Sequence, residues 1–408
     1  MNRYEVMTGI SVEEAVKRLL DEEYDKCGTI CLSVNESYGM ITAEDCVAGM
    51  DVPAFPRSAM DGYAVSSRDT LMASCDFPLK LKVSAIQYAG DADPIVYEKG
   101  TAVRIMTGGR IPDGYDAVIK QEDTDLGERE VTIYAPVEPY MNYCPVGENI
   151  KNNETVIRTG KKIGRTEAGL LAMLGKDKIK VIRPLRIALI ATGSELLRPG
   201  DELKDGMIYS SISPMIVSSL KAEKMEIVYD DVCPDYKDRI TDSVKKALDI
   251  SDILITTGGV SVGKRDLLHE ILDDIGAKKL FYGVDIQPGT PTIASVINKK
   301  PVLSLSGNPY AALVNFDLYF WEIAARLTGC DELKLQRREA SLTSPSSKVN
   351  KMRRFVRGYY EGGSVTLTGG KNRSSVISDL TGCNCYVDME KNRRYEAGEK
   401  VEIVLMKG

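Results

Sequence analysis

Two uninterrupted apolar runs constrain this chain most: RIALIAT, ending at Thr192, and DILITT, ending at Thr257. A strand with one solvated face alternates apolar and polar residues. A strand apolar throughout is covered on both faces, as parallel strands between helices are. Between the runs lie an amphipathic stretch around 213–224, the strand-like EIVYDDV and a helical pattern over about 235–249. After them come a helix over about 266–275, the apolar runs PTIASVI and PVLSLSG, and a long helix from Pro309 to about Leu327. Strands alternating with helices predict a doubly wound α/β domain over 184–329.

The flanks have a different texture. Ser11-Val12-Glu13-Glu14 reads as a capping box opening a helix that continues through about Tyr24. LKLKVSAI, TAVRIM, DAVIKQ and EVTIYAP read as strands of a small β-rich domain over 49–145, after the turn-rich DVPAFPRSAMDGYAV. A helix is expected near 165–175. RRFVRGYY, SVTLTGG, NCYVDME and KVEIVLM predict a small β domain over 330–408. Segments 1–48 and 146–183 remain, as one discontinuous part.

Charge and composition exclude several functions. With 53 basic and 59 acidic side chains the net charge is −6, so neither nucleic acid nor an anionic membrane is an expected partner. A single histidine, His269, excludes any two-histidine metal site, and any Ser-His-Asp triad in which it is not the base. The nine cysteines read as buried reduced thiols. The opening MNRYEVMTGISVEEAVKRLL has neither a continuous apolar core nor a small-residue cleavage site. No apolar run reaches membrane-span length, and a cytoplasmic protein is expected.

In an open α/β sheet, ligands bind beyond the carboxyl ends of the strands. Loops leaving such ends here are Thr192-Gly193-Ser194-Glu195, Gly258-Gly259-Val260-Ser261-Val262-Gly263-Lys264-Arg265-Asp266, Gln287-Pro288-Gly289-Thr290-Pro291 and Ser306-Gly307-Asn308-Pro309. The second has the glycines of a phosphate cradle, and Asp266 beside it suits Mg²⁺. Asn308 and Pro309 stand where a helix N-cap and N1 proline belong. Each loop alone is also explained by ordinary turn chemistry. So are Ser58–Tyr63 and the glycine turn Met106–Pro112.

Together, DVPAFPRSAMDGYAV, RIMTGGRIPDGYDAVIKQED, GENI, ATGSELLRPGDELKDGMIYSS, DILITTGGVSVGKRD, QPGTP and LSGNPYAALVNF resemble the molybdopterin molybdenumtransferases, which include bacterial molybdenum insertases and the E domain of gephyrin. The resemblance covers essentially the whole chain. It implies an elongated N-terminal part, an inserted β-rich domain, a molybdopterin-binding α/β domain and a C-terminal β barrel. It also implies a homodimer, with the cleft between the α/β and C-terminal domains of one subunit and the inserted domain of the other. The implied activity inserts molybdate into adenylylated molybdopterin and releases AMP, with Mg²⁺ required. A molybdopterin adenylyltransferase and molybdoenzymes or cofactor carriers are the implied partners.

Carried over residue by residue, the resemblance implies catalytic roles for Asp61, Thr107, Glu195, Asp235 and Asp266, with Asp235 and Asp266 as the Mg²⁺ ligands. Substrate binding is implied for Gly258, Gly259, Ser261, Gly263, Pro288, Gly289, Gly307, Asn308, Pro309, Arg353, Ser374 and Ser375. The chain also departs from the pattern. The family's lysines are replaced by Gly283, Gln287 and Thr290, Ser194 stands for a carboxylate, and Ser306 for a proline. An oxyanion needs positive charge or directed donors, so Lys264, Arg265, Arg353 and Arg357 are the expected replacements. A non-inserting carrier or scaffold, a tungsten-selective insertase and a nucleotide hydrolase on the same scaffold are the alternatives.

Overall fold

The computed structural model describes residues 9–260, 267–346, 349–368 and 373–407. The chain divides into two compact units, one of Met1–Glu44, Thr159–Arg165 and Lys178–Gly408, the other of Asp45–Arg158 and Thr166–Asp177.

The first unit is built on a six-stranded sheet. Its order is Glu226–Cys233, Arg186–Thr192, Ile253–Thr257, Lys300–Leu305, Ile293–Ile297 and Lys278–Tyr282. The first four strands are mutually parallel, and RIALIAT and DILITT lie at the centre, as their unbroken apolarity requires. The last two strands are antiparallel, an edge that doubly wound sheets commonly carry. The cause is local. Asn298 and Lys299 both take positive φ, 49° and 60°, which makes the tight turn that joins antiparallel neighbours.

The helix Pro309–Thr328 buries 16 of its 20 residues, as a helix apolar on all sides must. It shares one core with Val12, Ala15 and Leu19 of the N-terminal helix and with Phe355, Tyr386 and Val404 of the C-terminal region. The N-terminal helix, Val12–Leu20, opens as expected, with Ser11 Oγ accepting from the Glu14 N–H at 3.1 Å, but stops short of Tyr24 at a cap on Asp21. Arg337–Leu342, Arg353–Glu361, Ser364–Leu367, Cys385–Met389 and Lys400–Leu405 close into a five-stranded barrel. Gly358 keeps its interior open, since a Cβ there would come within 2.8 Å of Val387. Ile286–Gln287 adds to this sheet in parallel, with Gln287 in register with Arg354.

The second unit contains a five-stranded sheet in the order Ala117–Lys120, Gly62–Val65, Thr101–Ile105, Leu79–Gln87 and Glu130–Ile133. The strand Gly62–Val65 corrects the reading of AMDGYAV as turn alone, for it is buried throughout. Gly62 permits it: a Cβ there would lie 1.9 Å from the Ile119 carbonyl oxygen. The nine cysteines are free, but Cys31 and Cys75 are exposed, so the thiols are not all buried. Among the described residues no helix is long and apolar enough to cross a membrane.

Candidate functional site

The carboxyl ends of the 186–192, 253–257 and 300–305 strands open into a cavity of about 490 Å³. That is the place where open α/β sheets bind ligands. Glu195, Asp235, Gly258, Gly259, Gly307 and Asn308 are among the residues that line it. Two of its loops are locked reciprocally. The Ser194 N–H donates to Asp235 Oδ2 at 3.1 Å, and the Asp235 N–H donates to Ser194 Oγ at 3.0 Å. A neutral hydroxyl at position 194 thus accepts the bond without adding a second negative charge beside Asp235. A Cβ on Gly193 would lie 2.7–2.9 Å from the Glu195 carboxylate, so that carboxylate borders the same loop.

Gly258 and Gly259 take φ of +87° and +64°, a region costly for residues with a Cβ. The Gly258 N–H donates to the Leu305 carbonyl at 3.0 Å, and a Cβ at Gly258 would meet the Thr192 carbonyl oxygen at 2.3 Å. Bare backbone therefore floors the cavity where three strand ends converge.

A second cavity of about 410 Å³ shares Pro291, Ser306 and Asn308 with the first. Its floor is the turn at Pro288-Gly289-Thr290, which follows a cis Gln287–Pro288 bond. Buried Asn315 braces this turn, donating from Nδ2 to the Gly289 carbonyl at 2.8 Å and to Thr292 Oγ1. Gly289 has φ +100°, and a Cβ there would stand 2.5 Å from Asn315 Nδ2. The opposite wall comes from the barrel, through Arg354, Arg373 and Ser374. The Tyr310 N–H, in the first turn of the 309–328 helix, donates to the Ser374 carbonyl at 2.9 Å and holds that wall to the sheet. Arg357 is buried beneath it, 3.7 Å from the Tyr310 ring centre, and donates to the carbonyls of Arg373 and Val376.

In the second unit, Asp61 precedes the 62–65 strand and Thr107 follows its antiparallel neighbour, so both lie at one end of the sheet. Asp61 Oδ1 accepts from the Thr107 N–H and hydroxyl, each at 2.7 Å. These two bonds hold the Asp61 carboxyl below its ordinary pKa.

Comparison with known proteins agrees with this architecture. The families described as "MoeA N-terminal region (domain I and II)", "Probable molybdopterin binding domain" and "MoeA C-terminal region (domain IV)" match residues 10–175, 188–325 and 339–406. A molybdopterin molybdenumtransferase of Staphylococcus epidermidis is 35% identical over 405 residues, covering 98% of this chain and 96% of that protein. The chain belongs to the molybdopterin molybdenumtransferase family. A relative of the same name from Staphylococcus aureus is 34% identical over 97% of this chain and 95% of its own length. The crystal structure of a molybdopterin biosynthesis MoeA protein from Pyrococcus horikosii superposes with a TM-score of 0.87 at 30% identity, covering 98% of this chain and all of that one.

Set against the family's expected site residues, the structure brings Glu195, Asp235, Gly258, Gly259, Gly307, Asn308 and Pro309 to the first cavity. Pro288, Gly289 and Ser374 line the second, which Asn308 also reaches, and Asp61 pairs with Thr107. Ser375 is exposed and lines neither cavity. Ser261, Gly263 and Asp266, with Lys264 and Arg265, lie outside the described residues. Arg353 is corrected. Its guanidinium is committed to Asp388 at 2.7 and 2.6 Å and to Glu13 at 2.5 Å, and it lines neither of the two cavities. The expectation that Arg357 replaces a missing lysine is corrected too, because it is wholly buried under the wall. Sequence reasoning missed Arg354, Arg373 and Asn315. The RRFVRG run displayed the first as one of three arginines, with nothing local to select it.

Proposed function

We propose that the chain inserts molybdate into adenylylated molybdopterin and releases AMP in a Mg²⁺-dependent step. One observation carries this reading: two cavities of opposite character share a rim. The first has two carboxylates and bare glycine backbone, the second has arginines and no acidic lining residue among those described. The first suits an adenylyl phosphate with a divalent cation, the second a tetrahedral oxyanion, and the shared Pro291, Ser306 and Asn308 set the two side by side.

The donor set fits Mg²⁺. Among the described residues no three metal-ligating side chains gather into a cage. A magnesium ion usually takes one or two carboxylates and completes its shell with water and substrate phosphate. Asp235 would hold it, together with Asp266 as the family resemblance implies, and it would neutralise charge on the departing phosphate. Asp235 is itself positioned by the Ser194 amide, and Glu195, on the same loop, orients substrate or passes a proton. Asp61, fixed by Thr107, is the corresponding group of the inserted sheet. The homodimer implied by the family belongs to this reading, as do a partner enzyme that adenylylates molybdopterin and a molybdoenzyme or carrier that accepts the product.

Asp235→Asn keeps the side chain's shape and its bond to Ser194 but removes the charge. Molybdate-dependent AMP release should fall on the order of a hundredfold, and raising Mg²⁺ should recover part of it. Asp266→Asn should behave alike. Full activity of both variants would remove the metal role from these carboxylates.

A further inference from the structure

We infer that Arg354 supplies the charge that holds the oxyanion in this chain, one strand away from where the family's lysines would stand. The inference rests on the insertase reading and names the residue that makes it work here.

The turn that floors the second cavity carries no cation: its exposed position is Gln287, and Thr290 spends its hydroxyl on the Ile286 carbonyl at 2.6 Å. Gln287 and Arg354 are register partners in the parallel pairing of Ile286–Gln287 with Arg353–Arg354. The charge missing from one strand is thus present at the same level on its neighbour. Arg354 donates from Nη1 to Asn350 Oδ1 at 3.0 Å, which fixes the guanidinium. Its Nε–H is buried and has no hydrogen-bond partner among the described residues. The cavity that Arg354 lines has no acidic residue among its described lining, so an anion is the natural complement of that charge. With Nη1 engaged and Nε enclosed, the anchored guanidinium still brings a fixed positive charge to the wall of the second cavity. The arginines beside it on the strand are otherwise occupied, Arg353 by Asp388 and Glu13, Arg357 by the carbonyls of Arg373 and Val376, while Arg373, the other arginine lining the cavity, is exposed to solvent.

Calorimetric titration of the full chain with sodium molybdate alone tests this. Arg354→Met should weaken binding roughly thirtyfold, the effect of one charge-assisted contact, with an unchanged circular dichroism spectrum. Arg354→Gln, which keeps a polar end but no charge, should weaken it comparably and stands in if the methionine disturbs the barrel. Adding Gln287→Lys to either variant should restore most of the affinity. Equal affinity of wild type and both single variants, wild type that binds no molybdate, or no recovery with Gln287→Lys would each overturn the assignment. None of these outcomes depends on AMP release, so the insertase reading stands or falls on its own assay.

Discussion

Gly258→Ala should unfold the α/β domain at distinctly lower temperature and strip it of substrate binding together. The added Cβ meets two obstacles. The residue holds φ +87°, where an alanine is strained, and its methyl would stand 2.3 Å from the Thr192 carbonyl oxygen and 2.9 Å from Thr192 Oγ1. Neither obstacle is the far end of a flexible side chain; both are the end of the neighbouring central strand. The left-handed backbone and the overpacking together should cost about 2–4 kcal/mol. That corresponds to a fall of about 5–10 °C in the calorimetric transition. The strand cannot yield without moving the Thr192–Glu195 loop, so affinity for adenylylated molybdopterin should fall with stability. Gly276→Ala is the control. That glycine also has positive φ, +76°, but nothing stands within 4 Å of its Cβ position, so it should lose less stability and no binding.

Asp317→Asn should make the protein more stable at neutral pH while leaving it nearly unchanged in acid. Asp317 is buried in the 309–328 helix and accepts from the Tyr386 hydroxyl at 2.6 Å and the Trp321 indole N–H at 2.9 Å. Burial raises its pKa from 3.8 to about 6, against the pull of those two bonds. The folded state therefore binds the proton more tightly than the unfolded chain does. The stability this supplies is complete below the unfolded pKa and is lost as pH rises through about 6. Across that window the loss amounts to about 3 kcal/mol, of which roughly 1–2 falls between pH 5 and 7. Asparagine cannot ionise. It can still accept from Trp321, and its amide can donate to the Tyr386 oxygen. Urea unfolding at pH 5 and pH 7 should show the variant's advantage growing by that amount, and an advantage that stays constant with pH would exclude ionisation of Asp317 as its source.

What could be read from the residues was set by local chemistry. RIALIAT and DILITT announce buried parallel strands because nothing polar interrupts them, and Asn308-Pro309 announces a helix start because only one terminus tolerates that pair. The same local logic hid the 62–65 strand, whose glycine looks like turn chemistry until the Ile119 carbonyl is seen against it. It also misdirected the choice of arginine. Successive residues on a strand face opposite ways, so Arg353 and Arg354, equal in sequence, have opposite fates: one in an ion-pair cluster, the other at a cavity. Only the pairing of 286–287 with 353–354 distinguishes them, and no single-strand pattern contains that pairing.

The most direct test of the central claim is AMP release from adenylylated molybdopterin by the purified protein, with and without molybdate, in Mg²⁺. The two-cavity cleft predicts that AMP appears only when molybdate and Mg²⁺ are both present, with transferable molybdenum cofactor formed in step. Tight binding of the adenylylated pterin with no molybdate-dependent AMP would contradict it and leave a carrier of the pterin in place of an insertase.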